Sequence, residues 1–139
     1  MFRHFQLKHG RVELGKPLPD AVAAAAGELN SDRAIVLPAG TFAGAERIAL
    51  YLTPSRVLAG ARFEYAEELT FDERIESYAA MGAPTRERTG HGFLSGTEVV
   101  SWQDDATAFR LIRTPNGNAW VVHGELWDRH PAPGGLVAR

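Results

Sequence analysis

The stretch Thr97 to Trp127, TEVVSWQDDATAFRLIRTPNGNAWVVHGELW, reads as three consecutive strands and decides the fold. Glu98 to Gln103, Thr107 to Arg113 and Ala119 to Trp127 are rich in β-branched and aromatic residues, which suit a pleated, half-buried surface. Between them stand Asp104-Asp105 and Pro115-Asn116-Gly117-Asn118, residue types that favour turns. Strands joined by such short turns pair antiparallel. A meander is therefore expected, and the rest of the chain must pair with it or pack on it.

Working outward, Thr70-Phe71-Asp72-Glu73 matches a capping box, with the Thr70 hydroxyl placed for the Glu73 amide and the Glu73 carboxylate reaching back. Phe71, Ile75, Tyr78 and Ala79 form one stripe at helical spacing, and Gly82 and Pro84 end it. The spacing predicts a helix over 71–81 with its stripe on the sheet. Ala83 to Gly96 then reads as a long loop with room for a short strand near Phe93-Leu94. Further upstream, Glu46–Thr53 and Arg56–Tyr65 make a strand pair around Pro54-Ser55. In the second arm Val57, Ala59, Ala61, Phe63 and Tyr65 share a core face, while Leu58, Gly60, Arg62 and Glu64 share the other.

Arg33 to Leu37 is a short apolar run closed by Pro38 and reads as a buried strand. Asp20 is the expected N-cap of a helix over Ala21–Leu29, weakened by about 1 kcal/mol by Gly27. Met1 to Gly15 reads as a hairpin that turns at Lys8 to Arg11, with Arg3, Phe5 and Leu7 on one face and Phe2, His4 and Gln6 on the other. The expected fold is one α+β domain over 1–130: a curved, mainly antiparallel sheet with two helices, the main one at 71–81. The pattern leaves open whether the sheet closes into a barrel. Residues 131–139 (PAPGGLVAR) read as a flexible C-terminal tail.

Composition bounds the function classes. The chain has 139 residues, 45% hydrophobic and 23% charged, and at that length can hold a core without metals or disulfides. A net charge of −2 provides no long-range field for nucleic acid or an anionic membrane. With no cysteine, thiolate chemistry and Cys-ligated zinc are excluded. Met1 to Gly15 shows no signal-peptide pattern, and Ala21 to Ala26 is too short an apolar run to span a bilayer, so a soluble cytoplasmic protein is expected. No Walker loop, Gly-x-Ser-x-Gly or His-Glu-x-x-His motif is present, and no cofactor is expected.

Three groups of residues could carry chemistry. His123 and Glu125 fall on one face of a strand, roughly 7 Å apart, a spacing that suits an acid–base pair. His4 or His91 could complete a set with them. The plainer reading places both at the wet end of the strand, with Glu125 meeting an arginine. The segment Thr85 to Gly92 offers Arg86, Arg88 and His91 to an acidic ligand, or is simply a solvated connector. Trp102, Trp120 and Trp127, with Phe63, Tyr65, Phe109 and Tyr51, could line a pocket on the sheet's concave face; the plainer reading is core. Asp72 and Glu76 form a carboxylate pair off the apolar stripe, which capping and solubility explain.

The leading functional expectation is a small non-catalytic binding module. It would act through a sheet face or edge and the 83–96 loop on a protein partner or on a second copy, for instance through the 2–7 strand. The alternative is a small enzyme or ligand carrier. In it Arg86, Arg88 and His91 hold an acidic ligand, Trp102 and Trp120 line the pocket, and His123 and Glu125 move a proton. A weaker third reading is nucleic-acid binding by Arg110, Arg113 and the 86–91 loop.

Overall fold

A computed structural model describes residues 2–26, 34–37, 40–42, 44–65, 69–89, 96–116 and 119–129. In chain order the elements are β1 (His4–Leu7), β2 (Gly10–Glu13), α1 (Asp20–Ala26), β3 (Ala34–Leu37), β4 (Ala45–Leu52) and β5 (Leu58–Tyr65). There follow α2 (Phe71–Glu76), a 3-10 turn (Ala79–Met81), β6 (Thr85–Thr89), β7 (Thr97–Gln103), β8 (Thr107–Asn116) and β9 (Ala119–Asp128). The seven strands β3 to β9 make one antiparallel sheet in the order β3-β4-β5-β9-β8-β7-β6, and β1-β2 is a separate two-stranded sheet. The sheet is open, because β3 and β6 are its two ends and do not pair with each other. The expected meander is the β7-β8-β9 part of it.

Alternation along the strands sorts the side chains into two faces. The inner face carries Ile48, Leu50, Phe63, Val100, Phe109 and Leu111, all buried. The β1-β2 hairpin covers one part of it with Phe5, Leu7, Val12 and Leu14, and α1 adds Val22. Phe5 sits edge-on to Phe63 at 5.2 Å and to Phe42 at 5.8 Å. Each such side chain, fully buried, contributes roughly 1.5–3 kcal/mol. Arg3 locks the hairpin down: its Nη1 donates to the Ala106 carbonyl at 2.9 Å and the Thr107 hydroxyl at 2.8 Å. Its Nη2 stands 3.3 Å from the buried Asp128 carboxylate, which needs such a partner to be buried at all.

α2 covers the other part and differs from the expected 71–81 helix. The capping box is present, with Thr70 and Glu73 bonded reciprocally at 3.1 Å. The α-helix nevertheless ends at Glu76, with Ser77 as C-cap and the 3-10 turn beyond it. Tyr78 leaves helical torsions (φ −108, ψ 16), which sets its hydroxyl 2.7 Å from that of Tyr65 and its ring 4.7 Å from Phe109. Those contacts outweigh the five further helical residues expected to 81, and Ala79, expected in the stripe, is exposed. Burial, with Tyr78 beside it, pushes the Tyr65 phenol well above its ordinary range. Tyr78→Phe leaves the buried Tyr65 hydroxyl without its partner, and a loss of about 1–2 kcal/mol is expected in urea denaturation. An unchanged midpoint would show that the pair contributes nothing.

Three other expectations are corrected. Thr85 to Thr89 (TRERT) is not loop but edge strand β6, paired with β7 from Thr85↔Ser101 to Thr89↔Thr97. It has no apolar face to announce it, and backbone pairing makes the strand. α1 begins at Asp20, one residue earlier than an N-cap there would allow, with the Pro19 carbonyl accepting from Ala23 N–H at 3.0 Å. β3, expected to be buried, is an edge strand with Ala34, Ile35 and Leu37 buried but Val36 42% exposed. The expected strand near Phe93-Leu94 and the tail at 131–139 lie outside the described residues.

The β4-β5 turn holds Arg56 at φ 64, with Arg56 N–H bonded to the Thr53 carbonyl at 2.8 Å. A side chain is strained in this left-handed region. Arg56→Gly is expected to raise stability by about 0.5 kcal/mol, the relief exceeding the added freedom of the unfolded chain. A lower urea midpoint would show that the arginine makes a compensating contact.

Candidate functional site

The outer face of the sheet has no described helix packed across its centre, and its polar side chains gather on β5, β9 and β8. Register brings together residues far apart in sequence. Glu125 on β9 lies between Arg62 on β5 and Arg110 on β8. His123 lies between Glu64 and Ile112, and Trp127 between Gly60 and Ala108. Cross-strand neighbours of this kind have their Cβ atoms about 5 Å apart, close enough for direct contact.

Glu125 is the hub. Arg110 Nη2 and Trp127 Nε1 both donate to its Oε1, the latter at 3.2 Å. His123 Nε2 is 3.3 Å from its Oε2. Burial pushes the Glu125 carboxyl up, but the hydrogen bonds from His123, Arg110 and Trp127, with the Arg110 charge, hold it at about 2. An ionised carboxylate only accepts, so the proton of the His123 contact sits on Nε2. A group that binds its proton at about 2 is a poor general base near neutral pH. Beside the hub, Arg47 Nε meets Glu64 at 2.8 Å, and Arg62 Nε is 4.0 Å from the same carboxylate. Trp127 packs against Tyr51 at 5.2 Å and across Gly60.

A second charged cluster belongs to the inner face at the far edge. Arg86 Nε and Nη2 donate to Glu98 Oε2 at 3.0 and 2.6 Å. Arg88 and Arg113 stand 3.8 and 3.7 Å from Glu98 Oε1, and Arg86 also stands 3.8 Å from Asp72. The guanidinium of Arg113 lies over the Phe71 ring at 5.2 Å.

These positions separate what the sequence reading had grouped. His123 and Glu125 do meet, and Glu125 meets an arginine, Arg110. Arg86 and Arg88 project from the opposite face and are spent on Glu98, so they do not share a site with His123. His4 is exposed on the hairpin that covers the inner face, away from His123. His91 lies outside the described residues. Trp102 is core, with its Nε1 donating to the Gly82 carbonyl at 3.0 Å. The aromatics divide: Phe63, Tyr65, Trp102 and Phe109 point inward, Tyr51 and Trp127 outward. For Trp120 only the backbone, opposite Pro115, is described. Arg110 and Arg113 occupy opposite faces and form no common basic surface. Among the described residues no three His, Asp or Glu side chains gather as a metal site, and no helix is long and apolar enough to cross a membrane.

Sequence reasoning missed Arg62, Arg110 and Glu98 as parts of these clusters. Parity along each strand was legible for all three, but pairing of β5 with β9 was not. No family model matches the chain, and no curated protein or solved structure resembles it.

Proposed function

We propose that this chain is a small non-catalytic binding module that presents the outer face and free edges of its sheet to a protein partner or a second copy. The observation that supports this best is the state of the His123–Glu125 pair. Its carboxylate is held at about 2 and already accepts three side-chain contacts, so it serves as a fixed brace. The arginines that would have held a substrate beside it stand on the other face. What remains on that face is a rim of partly exposed Arg47, Arg62 and Glu64 around the largely buried His123, Glu125 and Trp127, flanked by exposed Val36 and Val121. Surfaces of this mixed character, with arginine and tyrosine beside exposed aliphatic side chains, suit protein recognition.

The test is photo-crosslinking from benzoylphenylalanine placed at Val121, with Gln6 on the exposed side of the hairpin as control. A discrete adduct is expected from position 121 alone, competed by unlabelled wild-type chain and not by Val121→Asp. Turnover of a small metabolite that His123→Ala abolishes without loss of stability would sink the reading and restore the enzyme alternative. Sedimentation equilibrium separates the two occupants: a dimer identifies the second copy, and a monomer at high concentration removes it.

A further inference from the structure

We infer that the β3-β4-β5 corner of the outer face receives a carboxylate side chain of a partner protein with an apolar side chain beside it. This rests on the binding-module reading and names the chemistry of its partner. Register puts Val36, Ala49 and Arg62 in one row across β3, β4 and β5, with Cβ atoms about 5 Å apart from strand to strand. Along β4 the same face carries Arg47, Ala49 and Tyr51, by period-two alternation. Ala49 is therefore the low point of the corner, a methyl group among longer side chains. Its surroundings are accessible: Val36 is 42% exposed, and the side chains of Arg47 and Arg62 are 59% and 40% exposed.

The cations of the corner select the charge. Arg47 and Arg62 share the carboxylate of Glu64: Arg47 Nε meets it at 2.8 Å, while Arg62 Nε stands 4.0 Å away, beyond hydrogen-bond reach. That Nε is buried with no hydrogen-bond partner, so packing and not hydrogen bonding holds the Arg62 guanidinium. Among the described residues no acceptor engages its terminal amino groups. A carboxylate takes two parallel N–H bonds from such a fork, with charge added, and a neutral amide does not match it. Val36 and Tyr51 select the neighbour. Their apolar surface beside Ala49 gains by being covered, so an aliphatic side chain next to the acid fills the recess. The Tyr51 ring is braced by Trp127 at 5.2 Å, which fixes that wall before a partner arrives.

The probe is the peptide acetyl-Leu-Ser-Glu-Ser-Leu-amide, titrated to millimolar concentration into the ¹⁵N-labelled chain. Amide shifts concentrated at Val36, Arg47 to Tyr51 and Arg62 are expected. Arg62→Gln removes a guanidinium that no hydrogen bond holds, so the urea midpoint is expected to stay while binding weakens about fivefold, the upper end for an exposed ion pair. The same peptide with Gln for Glu tests the charge without touching the fold and is expected to bind as weakly. With Ser for both Leu, the shifts at Val36 and Tyr51 are expected to vanish. Several results overturn the inference: no shift with the acidic peptide, equal binding by the Gln or Ser version, or no effect of Arg62→Gln. Sodium acetate giving the same shifts at the same concentration overturns it in favour of a small-anion contact. The same shifts on concentrating the chain alone overturn it in favour of a second copy. A discrete adduct from position 121 with no peptide shift at this corner sinks the inference and leaves the module reading standing.

Discussion

Gly60→Ala is expected to destabilise the protein by about 3 kcal/mol, the upper part of the range for overpacking a filled site. A Cβ at Gly60 would stand 2.2, 2.5 and 2.9 Å from Cε3, Cζ3 and Cδ2 of the Trp127 indole. Gly60 is not among the glycines with positive φ, so the penalty is contact and not torsion. The ring must move, and in moving it gives up its tilted contact with the Tyr51 ring at 5.2 Å and its hydrogen bond to Glu125 at 3.2 Å. Urea denaturation followed by tryptophan fluorescence reads the loss. The control is the same change in a Trp127→Leu background, where the cost of Gly60→Ala is expected to fall below about 1 kcal/mol. An equal cost in both backgrounds would show that the indole is not the obstacle. Gly124 is the inner-face counterpart on β9, where a Cβ would stand 2.9 Å from the Tyr65 hydroxyl. Each face thus has one aromatic ring laid across a glycine of the neighbouring strand.

Glu125→Gln is the second large effect, and it carries a pH signature. The folded carboxyl is held at about 2 against an ordinary value of 4.5. A depressed folded value contributes stability that is present above the unfolded value and lost as pH falls through the folded one. The difference corresponds to about 3 kcal/mol at neutral pH, and with the side chain 13% exposed solvent screens little of it. The loss should therefore fall between about pH 4.5 and pH 2. Glutamine keeps an oxygen for Arg110 and Trp127 but not the charge. The variant is expected to be less stable at neutral pH by about 2–3 kcal/mol and to show a flatter decline over the acid range. Stability measured in urea at a series of pH values decides it. Parallel curves for the variant and the wild type would show that Glu125 is not the group titrating.

The C-terminal meander could be read from local chemistry, because its strands carry β-branched and aromatic residues and its turns carry Asp, Asn, Gly and Pro. The capping box at Thr70 was equally local, and it starts α2 where expected. The far end of that helix was not local: Tyr78 breaks away to reach Tyr65 and Phe109, residues 13 and 31 positions distant. β6 was illegible for another reason. TRERT has the polarity of a loop, and it is a strand only because β7 offers it a ladder. For the candidate site, the facing of His123 and Glu125 followed from period-two geometry. Their partner Arg110, and the approach of Arg62, required the register.

By itself the sequence determined that the chain is mainly antiparallel sheet with two helices, which residues face together along the strands of the C-terminal meander, and which turns join those strands. These depend on torsional preference and on a side-chain period of two, both properties of a few adjacent residues. Only the tertiary structure decided that β5 pairs with β9, that the sheet stays open, and that Arg86 and Arg88 lie behind the sheet from His123. Those outcomes turn on contacts between residues tens of positions apart. No local preference encodes them, and a one-residue slip in register would have placed every side chain of a strand on the other face.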